Sequence, residues 1–394
     1  MRSLDGTRPV SNGICSLWSG LDYTIAEHQN QAQNAAEENG TAFWARIVEP
    51  FTNGLDIAGY NYFEEVYRED HERFPDRVIM GSENFPREIG FRWPLVESLP
   101  YVVGEFTWTA WDYLGEAGIG KTVYVDQDDP AVARGPWGLM PNETSFFPWR
   151  TANDADYDIT GKLLPQGIYR SVVWGDERTY LYTKHPDTFG KVEVSSMWGF
   201  PYVVANWSYP GYENKPIELV VYSNADEVKV FINGQSVGRK PVCMERPFPN
   251  TATFAVTYQP GTVEAVSYKN GIEVSRAKLQ TVQTPAQLCL VPEKTTLKAD
   301  GHDVVFVDIQ ILDQDGQVVP DAAVKLRAKA EGAAVLAGFG TGNPITDEDY
   351  TDDATVSYRG HATAVLRSGY EAGEVTMAVA AEGMAECSVR CTTM

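Results

Sequence analysis

The first half of the chain alternates short apolar runs with amphipathic stretches. The runs at residues 55–61, 77–83 and 102–108 have the length and β-branched content of buried strands, and a shorter strand is predicted at 7–12. Helical patterns are predicted at 22–39, 63–74, 93–99 and 166–174. The apolar stripe of the second of these helices consists of Phe63, Val66, Tyr67 and Phe74. Alternating strands and helices predict a parallel sheet covered by helices.

From about residue 188 the pattern changes to short alternating strands with turn residues between them. Strands are predicted at 217–222, 227–232 and 263–268, and Asn233-Gly234 and Asn270-Gly271 are strong hairpin signals. A second series, at 304–312, 323–328, 361–367 and 375–380, follows Thr284-Pro285. This spacing is typical of antiparallel β-sandwiches of immunoglobulin-like size.

The predicted fold class is therefore multidomain, α/β followed by all-β. The predicted domains are residues 1–187, 188–284 and 285–394.

Composition excludes several classes of partner. The chain has 32 Lys plus Arg against 54 Asp plus Glu, and its formal charge of −22 disfavours binding to nucleic acid or to an anionic membrane surface. No apolar run approaches the roughly 20 residues of a spanning helix, and the first residues lack the apolar core of a signal peptide. A neutral ligand such as a sugar is compatible with the strongly negative net charge.

The five cysteines are odd in number and contain no CxxC pair, so neither a disulfide framework nor a zinc site is predicted. We expect buried or half-buried free thiols in a reducing compartment, which slightly favours the cytoplasm and leaves the localisation open. Cys387 and Cys391 are expected on the same face of a strand.

The candidate chemistry lies where the predicted parallel strands end. The run at 77–83 ends in Gly-Ser-Glu, which is how a buried strand delivers a carboxylate to the mouth of a barrel. The alternative is an ion pair between Glu83 and Arg87 or Arg92. Glu105 lies inside an apolar strand, so we expect it to pair with an arginine or to line the barrel.

At Gly59-Tyr60-Asn61-Tyr62, at Gly81-Ser82-Glu83 and along residues 106–116 the chain resembles glycoside hydrolase family 2, the β-galactosidase family. The resemblance implies strands five to eight of a partial (β/α)8 TIM barrel followed by two immunoglobulin-like β-sandwiches. It also implies a retaining mechanism in which Glu83 is the nucleophile. Tyr62 would orient that carboxylate and lower its pKa.

The same resemblance implies a substrate subsite formed by Asn61, Trp108, Trp111 and Asp112. Trp108 would form a wall for the sugar. For Trp111 and Asp112 a structural role, in the core or as a turn cap, has equal weight. The implied substrate is a β-galactoside or a related oligosaccharide, and β-mannosides remain open. A β-glucuronide would need cations for its carboxylate, and near the last strand only Lys121 and Arg134 are available.

Retaining glycosidases also need a carboxylic acid that protonates the leaving oxygen. In the resembled family this acid follows an asparagine on the fourth barrel strand, a part that the chain does not contain. Asn142-Glu143 lies in a late loop and Glu213-Asn214 has the reverse order, so neither is a persuasive substitute. We therefore expect negligible hydrolase activity from this polypeptide alone.

Two alternatives remain beside a portion of a β-galactosidase-like enzyme. One is half of a split enzyme, completed by a partner that supplies the amino-terminal half of the barrel. The other is a non-catalytic carbohydrate-binding or structural module. No cofactor is predicted. Metal ions assist some members of the family, but their ligands would lie largely in the part that is missing here.

Overall fold

The computed structural model describes residues 3–15, 48–135, 138–139, 145–245 and 248–394. The helix predicted at 22–39 and the dipeptide Asn142-Glu143 lie outside these residues. In the described part, the amino-terminal region contains a parallel sheet, and the remainder of the chain is dominated by antiparallel strands.

Four parallel strands form the first sheet in chain order. They are β1 (Ser11–Cys15), β2 (Ile57–Asn61), β3 (Ile79–Asn84) and β4 (Val102–Thr107). Helix α1 (Tyr67–Arg73) connects β2 to β3, and α2 (Ile89–Ser98) connects β3 to β4. The predicted alternation of strands and helices is thereby confirmed for these elements.

The predicted apolar stripe packs this sheet against its helices. Phe63, Val66 and Tyr67 are each 1% exposed and share one core with Ile79 and Val102. Phe63 and Val66 lie in the short segment before α1, and Tyr67 is the first residue of α1. Phe74, the last residue of the predicted stripe, is only partly buried and is not part of this core. Burial of the other three side chains, at about 25 cal/mol per Å² of apolar surface, stabilises this segment and the start of α1 on the sheet.

The first strand differs from the prediction. A strand was expected at 7–12, but β1 is Ser11–Cys15. Asp5 accepts a hydrogen bond from the Thr7 backbone N–H at 2.8 Å, which forms a turn, and Pro9 has no N–H to give to a sheet. The strand therefore begins only after the proline.

Helix α3 (Pro165–Val173) connects the parallel-sheet region to the all-β part of the chain. Pro165 occupies its first position, where a missing N–H costs nothing. Tyr169 is fully buried, and its hydroxyl donates to the Pro249 carbonyl at 3.0 Å. Nearby, β5 (Thr122–Val125) pairs antiparallel with β7 (Val192–Ser195).

Two antiparallel sheets form the first all-β unit, in the orders β10-β9-β12-β13 and β11-β8-β6. The strands are β6 (Tyr180–Lys184), β8 (Pro216–Tyr222), β9 (Glu227–Ile232), β10 (Gln235–Pro241), β11 (Thr251–Thr257), β12 (Thr262–Lys269) and β13 (Ile272–Gln280). Both sheets contribute to one core that includes Leu219, Val230 and Phe254.

The two hairpin predictions in this unit are confirmed. Asn233 and Gly234 have φ of 49° and 77°, and Asn270 and Gly271 have φ of 52° and 76°. Positive φ at both central residues is the geometry of the tight turn that Asn-Gly favours, and each turn joins two paired strands.

A second all-β unit follows, in the sheet orders β14-β16-β20-β18 and β15-β22-β21-β17-β19. Its strands are β14 (Gln287–Pro292), β15 (Thr296–Leu297), β16 (Val304–Leu312), β17 (Lys325–Gly332), β18 (Ala334–Gly340), β19 (Ala354–Val356), β20 (His361–Ser368), β21 (Gly373–Ala381) and β22 (Cys387–Thr393). An aliphatic core lies between the sheets, and Val305, Val307, Ile309 and Ile311 of β16 are all fully buried in it.

The predicted domain boundaries at 188 and 285 stay predictions. Strand β6 precedes the first of them and pairs with β8, which follows it. The chain around residue 188 therefore belongs to a continuous structure that joins the parallel-sheet region to the first all-β unit.

The cysteines are free, as predicted, but their exposure is broader than expected. Cys391 is buried and Cys387 packs against the same core, so the two share a face of β22. Cys15 and Cys243 are exposed. In the described part of the chain no helix has the length and apolar character needed to cross a membrane.

Candidate functional site

The carboxyl ends of β2 and β3 bring the central candidate residues together. The two strands are in regular register up to Tyr60 opposite Gly81, but the next pair joins Asn61 to Glu83 and leaves Ser82 as an extra residue. Such a bulge re-aims the side chains that follow it. The space at Gly81 is tight, because a Cβ would lie 2.5 Å from the Asn84 side-chain nitrogen and 2.8 Å from the Tyr67 hydroxyl oxygen.

Three donors surround the end of β3. The Asn61 amide donates to one carboxylate oxygen of Glu83 at 2.9 Å, and the Tyr62 hydroxyl donates to the other in a short hydrogen bond. Ser82 in turn donates to the Asn61 side-chain oxygen at 2.7 Å, which fixes the orientation of the amide. Both oxygens of Glu83 are thus held by side chains from β2 or from the residue that follows it.

Tyr62 reaches Glu83 because the backbone turns sharply after β2. Tyr62 has a φ of 56°, which is uncommon for a residue other than glycine, and its N–H donates to the Glu83 carbonyl at 2.8 Å. Its ring packs on Phe85, with centroids 4.3 Å apart. In a regular strand Tyr60 and Tyr62 would share a face. The positive φ of Tyr62, just after β2 ends, breaks this pattern, and Tyr60 instead donates to Asp70 of α1 at 2.7 Å.

The electrostatics of Glu83 differ from the expectation in one respect. Burial raises the pKa of the Glu83 carboxyl, and the charge of Glu116 raises it further. The Tyr62 hydroxyl lowers that pKa, as predicted, but its effect does not outweigh burial. The environment therefore makes the carboxylate more basic than an exposed one, while the tyrosine limits the change.

Glu83 forms no ion pair with Arg87 or Arg92, which was the alternative role considered for it. Arg92 is 4% exposed and pairs with Glu64 at 2.9 Å and Glu88 at 2.5 Å. Arg87 donates to the Ser195 hydroxyl at 2.8 Å. Both arginines that could have neutralised Glu83 are engaged elsewhere.

Trp108 lies directly beside this group. Its backbone N–H donates to the carbonyl of Asn84, the neighbour of Glu83, at 3.0 Å. Its indole N–H donates to the Tyr113 hydroxyl at 3.2 Å, and that hydroxyl donates to Glu116 in a short hydrogen bond. The indole is thus fixed directly after β4, and the residue is partly exposed.

Trp111 and Asp112 have different surroundings. Asp112 is 5% exposed, and its carboxylate accepts from the backbone N–H groups of Tyr113 at 3.0 Å and Asn153 at 2.8 Å, so it caps a turn. Trp111 is half exposed and stacks on Tyr157. No hydrogen bond within the described ranges joins either residue to Glu83.

Glu105 pairs with an arginine, as predicted. Arg170 of α3 lies 3.4 Å from Glu105 and 2.6 Å from Asp156. Burial raises the pKa of the Glu105 carboxyl, and Arg92 and Arg170 lower it. This buried triad fixes α3 to β4 and leaves the mouth of the sheet to Glu83.

The sequence interpretation missed Trp198. Its indole N–H donates to the Tyr62 hydroxyl at 2.9 Å, and its ring meets Tyr62 edge-on at 6.1 Å. The residue follows β7, in the part of the chain assigned to the first sandwich, 136 positions from Tyr62. A contact between residues so far apart cannot be predicted from the local sequence pattern.

The other candidates are placed as follows. The Lys121 ammonium lies 4.9 Å from the centre of the Trp149 ring, and Arg134 donates to the Gly138 carbonyl at 3.5 Å. Glu213 is exposed and accepts from the Gly211 N–H at 3.0 Å, which makes it part of a turn. Among the described residues no cluster of His, Cys, Asp and Glu has the arrangement of a metal site.

Comparison with known proteins relates the chain to one family. Residues 288–390 match "Glycoside hydrolase family 2 C-terminal domain 5", and residues 214–275 match a "Domain of unknown function (DUF4982)". The chain is 24% identical to the beta-galactosidase BoGH2A of Bacteroides ovatus, over 85% of this chain and 39% of that protein. It is 26% identical to a putative beta-glucuronidase of Formosa agariphila, over 73% of this chain and 24% of that protein.

A solved structure covers the whole chain. The glycosyl hydrolase family 2 member from Bacteroides cellulosilyticus superimposes with a TM-score of 0.80 and 29% identity, over 100% of this chain and 46% of that one. The chain thus spans less than half the length of the relatives named here. The family match, the sequence relatives and the structural match agree: residues 288–390 match a C-terminal domain of glycoside hydrolase family 2, and the chain is similar to part of longer proteins of that family.

Proposed function

We propose that this chain carries the nucleophile of a retaining β-glycosidase. The observation that carries the proposal is the pair of hydrogen bonds from Asn61 and Tyr62 to the two oxygens of Glu83. A carboxylate held at both oxygens, at the mouth of a parallel sheet and without a cationic partner of its own among Arg87 and Arg92, is poised to attack an anomeric carbon.

In this proposal Glu83 is the nucleophile, Tyr62 orients it, and Asn61 and Trp108 border the sugar subsite. Trp111 is half exposed and stacked on Tyr157, and it would provide a second aromatic surface for a sugar. Asp112 acts on the subsite only through the turn that it caps, because its carboxylate is occupied by backbone N–H groups.

We also propose that β1 to β4 are strands five to eight of a (β/α)8 barrel and that the two all-β units are immunoglobulin-like sandwiches. In the described part of the chain β1 and β4 are the edges of the parallel sheet. Val103 and Phe106 of β4 are 60% and 59% exposed, which is unusual for apolar residues of a parallel strand. Further strands that close the barrel would cover them, whether they come from the same polypeptide or from a partner chain.

The proposed substrate is a terminal β-galactoside. Of the two sequence relatives named above, the Bacteroides ovatus protein is a beta-galactosidase and the Formosa agariphila protein is a putative beta-glucuronidase, and the match to the first covers more of this chain. The two cations near the last strand already have protein contacts, since Lys121 lies over the Trp149 ring and Arg134 donates to the Gly138 carbonyl, which favours an uncharged sugar. A β-glucuronide is the second candidate.

The nucleophile can be tested without a general acid. A 2,4-dinitrophenyl 2-deoxy-2-fluoro-β-galactoside carries a leaving group that departs as the phenolate and needs no proton. Attack by Glu83 would form an ester bond to the anomeric carbon as the bond to dinitrophenolate breaks. We expect intact-mass spectrometry to show one glycosyl adduct, located by peptide mapping at Glu83, and none in Glu83→Gln.

The matched control is Glu97→Gln, which removes an exposed carboxylate of α2 and should label like the native chain. An adduct on another residue, or none in the native chain, would count against Glu83 as nucleophile. The corresponding β-glucuronide reagent tests the second substrate class, and faster labelling by it would reverse the substrate assignment.

We further propose that this polypeptide alone has negligible activity on ordinary glycosides. Among the described residues no glutamate follows an asparagine at the end of a strand of the parallel sheet. Turnover of an unactivated alkyl β-galactoside by the pure chain, abolished in Glu83→Gln, would contradict this proposal.

A further inference from the structure

Trp198 completes a chain of hydrogen bonds that ends on Glu83. The Trp198 indole N–H donates to the Tyr62 hydroxyl at 2.9 Å, and that hydroxyl donates to Glu83. An indole N–H is a donor only, whereas a phenol has one proton and two lone pairs. Tyr62 must therefore accept from Trp198, and its single proton is left for Glu83.

The ring of Trp198 is packed as well as bonded. It meets Tyr62 at 87° with centroids 6.1 Å apart, and Phe85 at 69° with centroids 5.6 Å apart. Edge-on contacts of this kind are favourable arrangements for aromatic rings. Tyr62 and Phe85 form a small buried cluster that Met197 and Trp198 cover from one side.

The segment that carries Trp198 is anchored at several points. Ser195 accepts a hydrogen bond from Arg87 at 2.8 Å, and the Ser196 N–H donates to the Lys121 carbonyl at 3.0 Å. Gly199 lies so close to Ser195 that a Cβ would come within 2.7 Å of the serine Cβ. The indole is thus held by a fixed backbone.

We propose that Trp198 is a positioning residue for the reaction, which fixes the direction of the Tyr62 hydroxyl and thereby the orientation of the Glu83 carboxylate. The proposal rests on the proposed role of Glu83 as nucleophile. A donor to Tyr62 also makes its phenol a stronger donor to the carboxylate, because hydrogen bonds in a chain polarise one another.

The test is Trp198→Phe, which keeps an aromatic ring and removes the N–H. We expect labelling by the fluorinated galactoside to slow by roughly threefold to tenfold, since one hydrogen bond of the chain is lost. We also expect the midpoint of the pH dependence of labelling to move upward, because Tyr62 then donates less strongly to Glu83. Trp93→Phe is the matched control. Trp93 packs against Trp174 at 5.5 Å, and its replacement should leave rate and midpoint unchanged.

A double-mutant cycle separates positioning from a general effect on folding. In a Tyr62→Phe background, Trp198→Phe should have no further effect on rate or midpoint. Equal effects in both backgrounds would overturn the inference, and so would a native rate and midpoint in the single variant.

The inference is also tested without labelling. Titration of the ¹³C-enriched Glu83 carboxyl by NMR should give a higher midpoint in Trp198→Phe than in the native chain. If the native chain is not labelled but this midpoint moves, the proposed function fails while the hydrogen-bond chain stands. If labelling occurs and neither midpoint nor rate moves, only the role of Trp198 fails.

Discussion

The parallel-sheet region and the second all-β unit bury different kinds of residue. The first buries charged groups among its helices and strands: Arg92, Arg170, Glu105, Asp154 and Asp156. The core of the second is aliphatic, and its buried carboxylate Asp313 accepts backbone N–H groups in a turn. Removal of one partner in the first region leaves an uncompensated charge, whereas in the second it leaves a void.

The largest expected effect is in the parallel-sheet region. Arg170→Met removes the cation that lies between Glu105 and Asp156, both of which are buried. Asp156 then loses its cationic partner and Glu105 keeps only the charge of Arg92, and we expect the free energy of unfolding to fall by about 3–5 kcal/mol. Urea denaturation measures it. Arg178→Met, which removes an exposed arginine bonded to Asp176, should change stability little, and equal losses in the two variants would contradict the comparison.

In the second all-β unit the corresponding experiment is Ile309→Ala. Ile309 is fully buried in β16, and we expect a loss of about 2–5 kcal/mol, made up of lost apolar burial and the cavity that remains. Val335→Ala, at a site that is half exposed on β18, is the control and should cost far less. The loss should be independent of pH between 5 and 8, because no titratable group is removed; a strong pH dependence would contradict it.

A smaller, pH-dependent effect is expected at Asp154. This residue is fully buried; burial and the charge of Asp112 raise its pKa to about 7, and Thr109 donates to it at 3.3 Å. The folded state keeps this proton after the unfolded state has lost it, so native stability falls as pH rises from about 4 to 7.

Asp154→Asn removes this penalty, and its advantage over the native chain should grow by up to about 1.4 kcal/mol per pH unit over that window. Thermal unfolding at a series of pH values measures the difference between the two proteins. A constant difference across the window would show that Asp154 does not retain its proton. Asp353→Asn, at an exposed acid, serves as the control and should give a nearly flat difference.

The regular parts of the fold were predictable because their sequence periods report local burial. Strands 227–232 and 304–312 were predicted at the bounds that β9 and β16 have, since alternating apolar residues face a single core. The family resemblance, not the sequence period, pointed to Tyr62 and Asn61 beside Glu83, and their proximity follows because adjacent parallel strands present their carboxyl ends at one edge. The pairing of β5 with β7 and the hydrogen bond from Trp198 to Tyr62 could not be predicted, because each joins segments that are far apart in sequence.

The position of Trp198 in the chain also sets an order of assembly. Chains emerge from the ribosome amino terminus first, and their domains fold in that order as they appear. The strand that carries Glu83 is therefore complete more than a hundred residues before the indole that supports its tyrosine. Asn61 and Tyr62 are available to Glu83 before Trp198 is synthesised, so the donor to Tyr62 is the last member of this hydrogen-bond chain to be added.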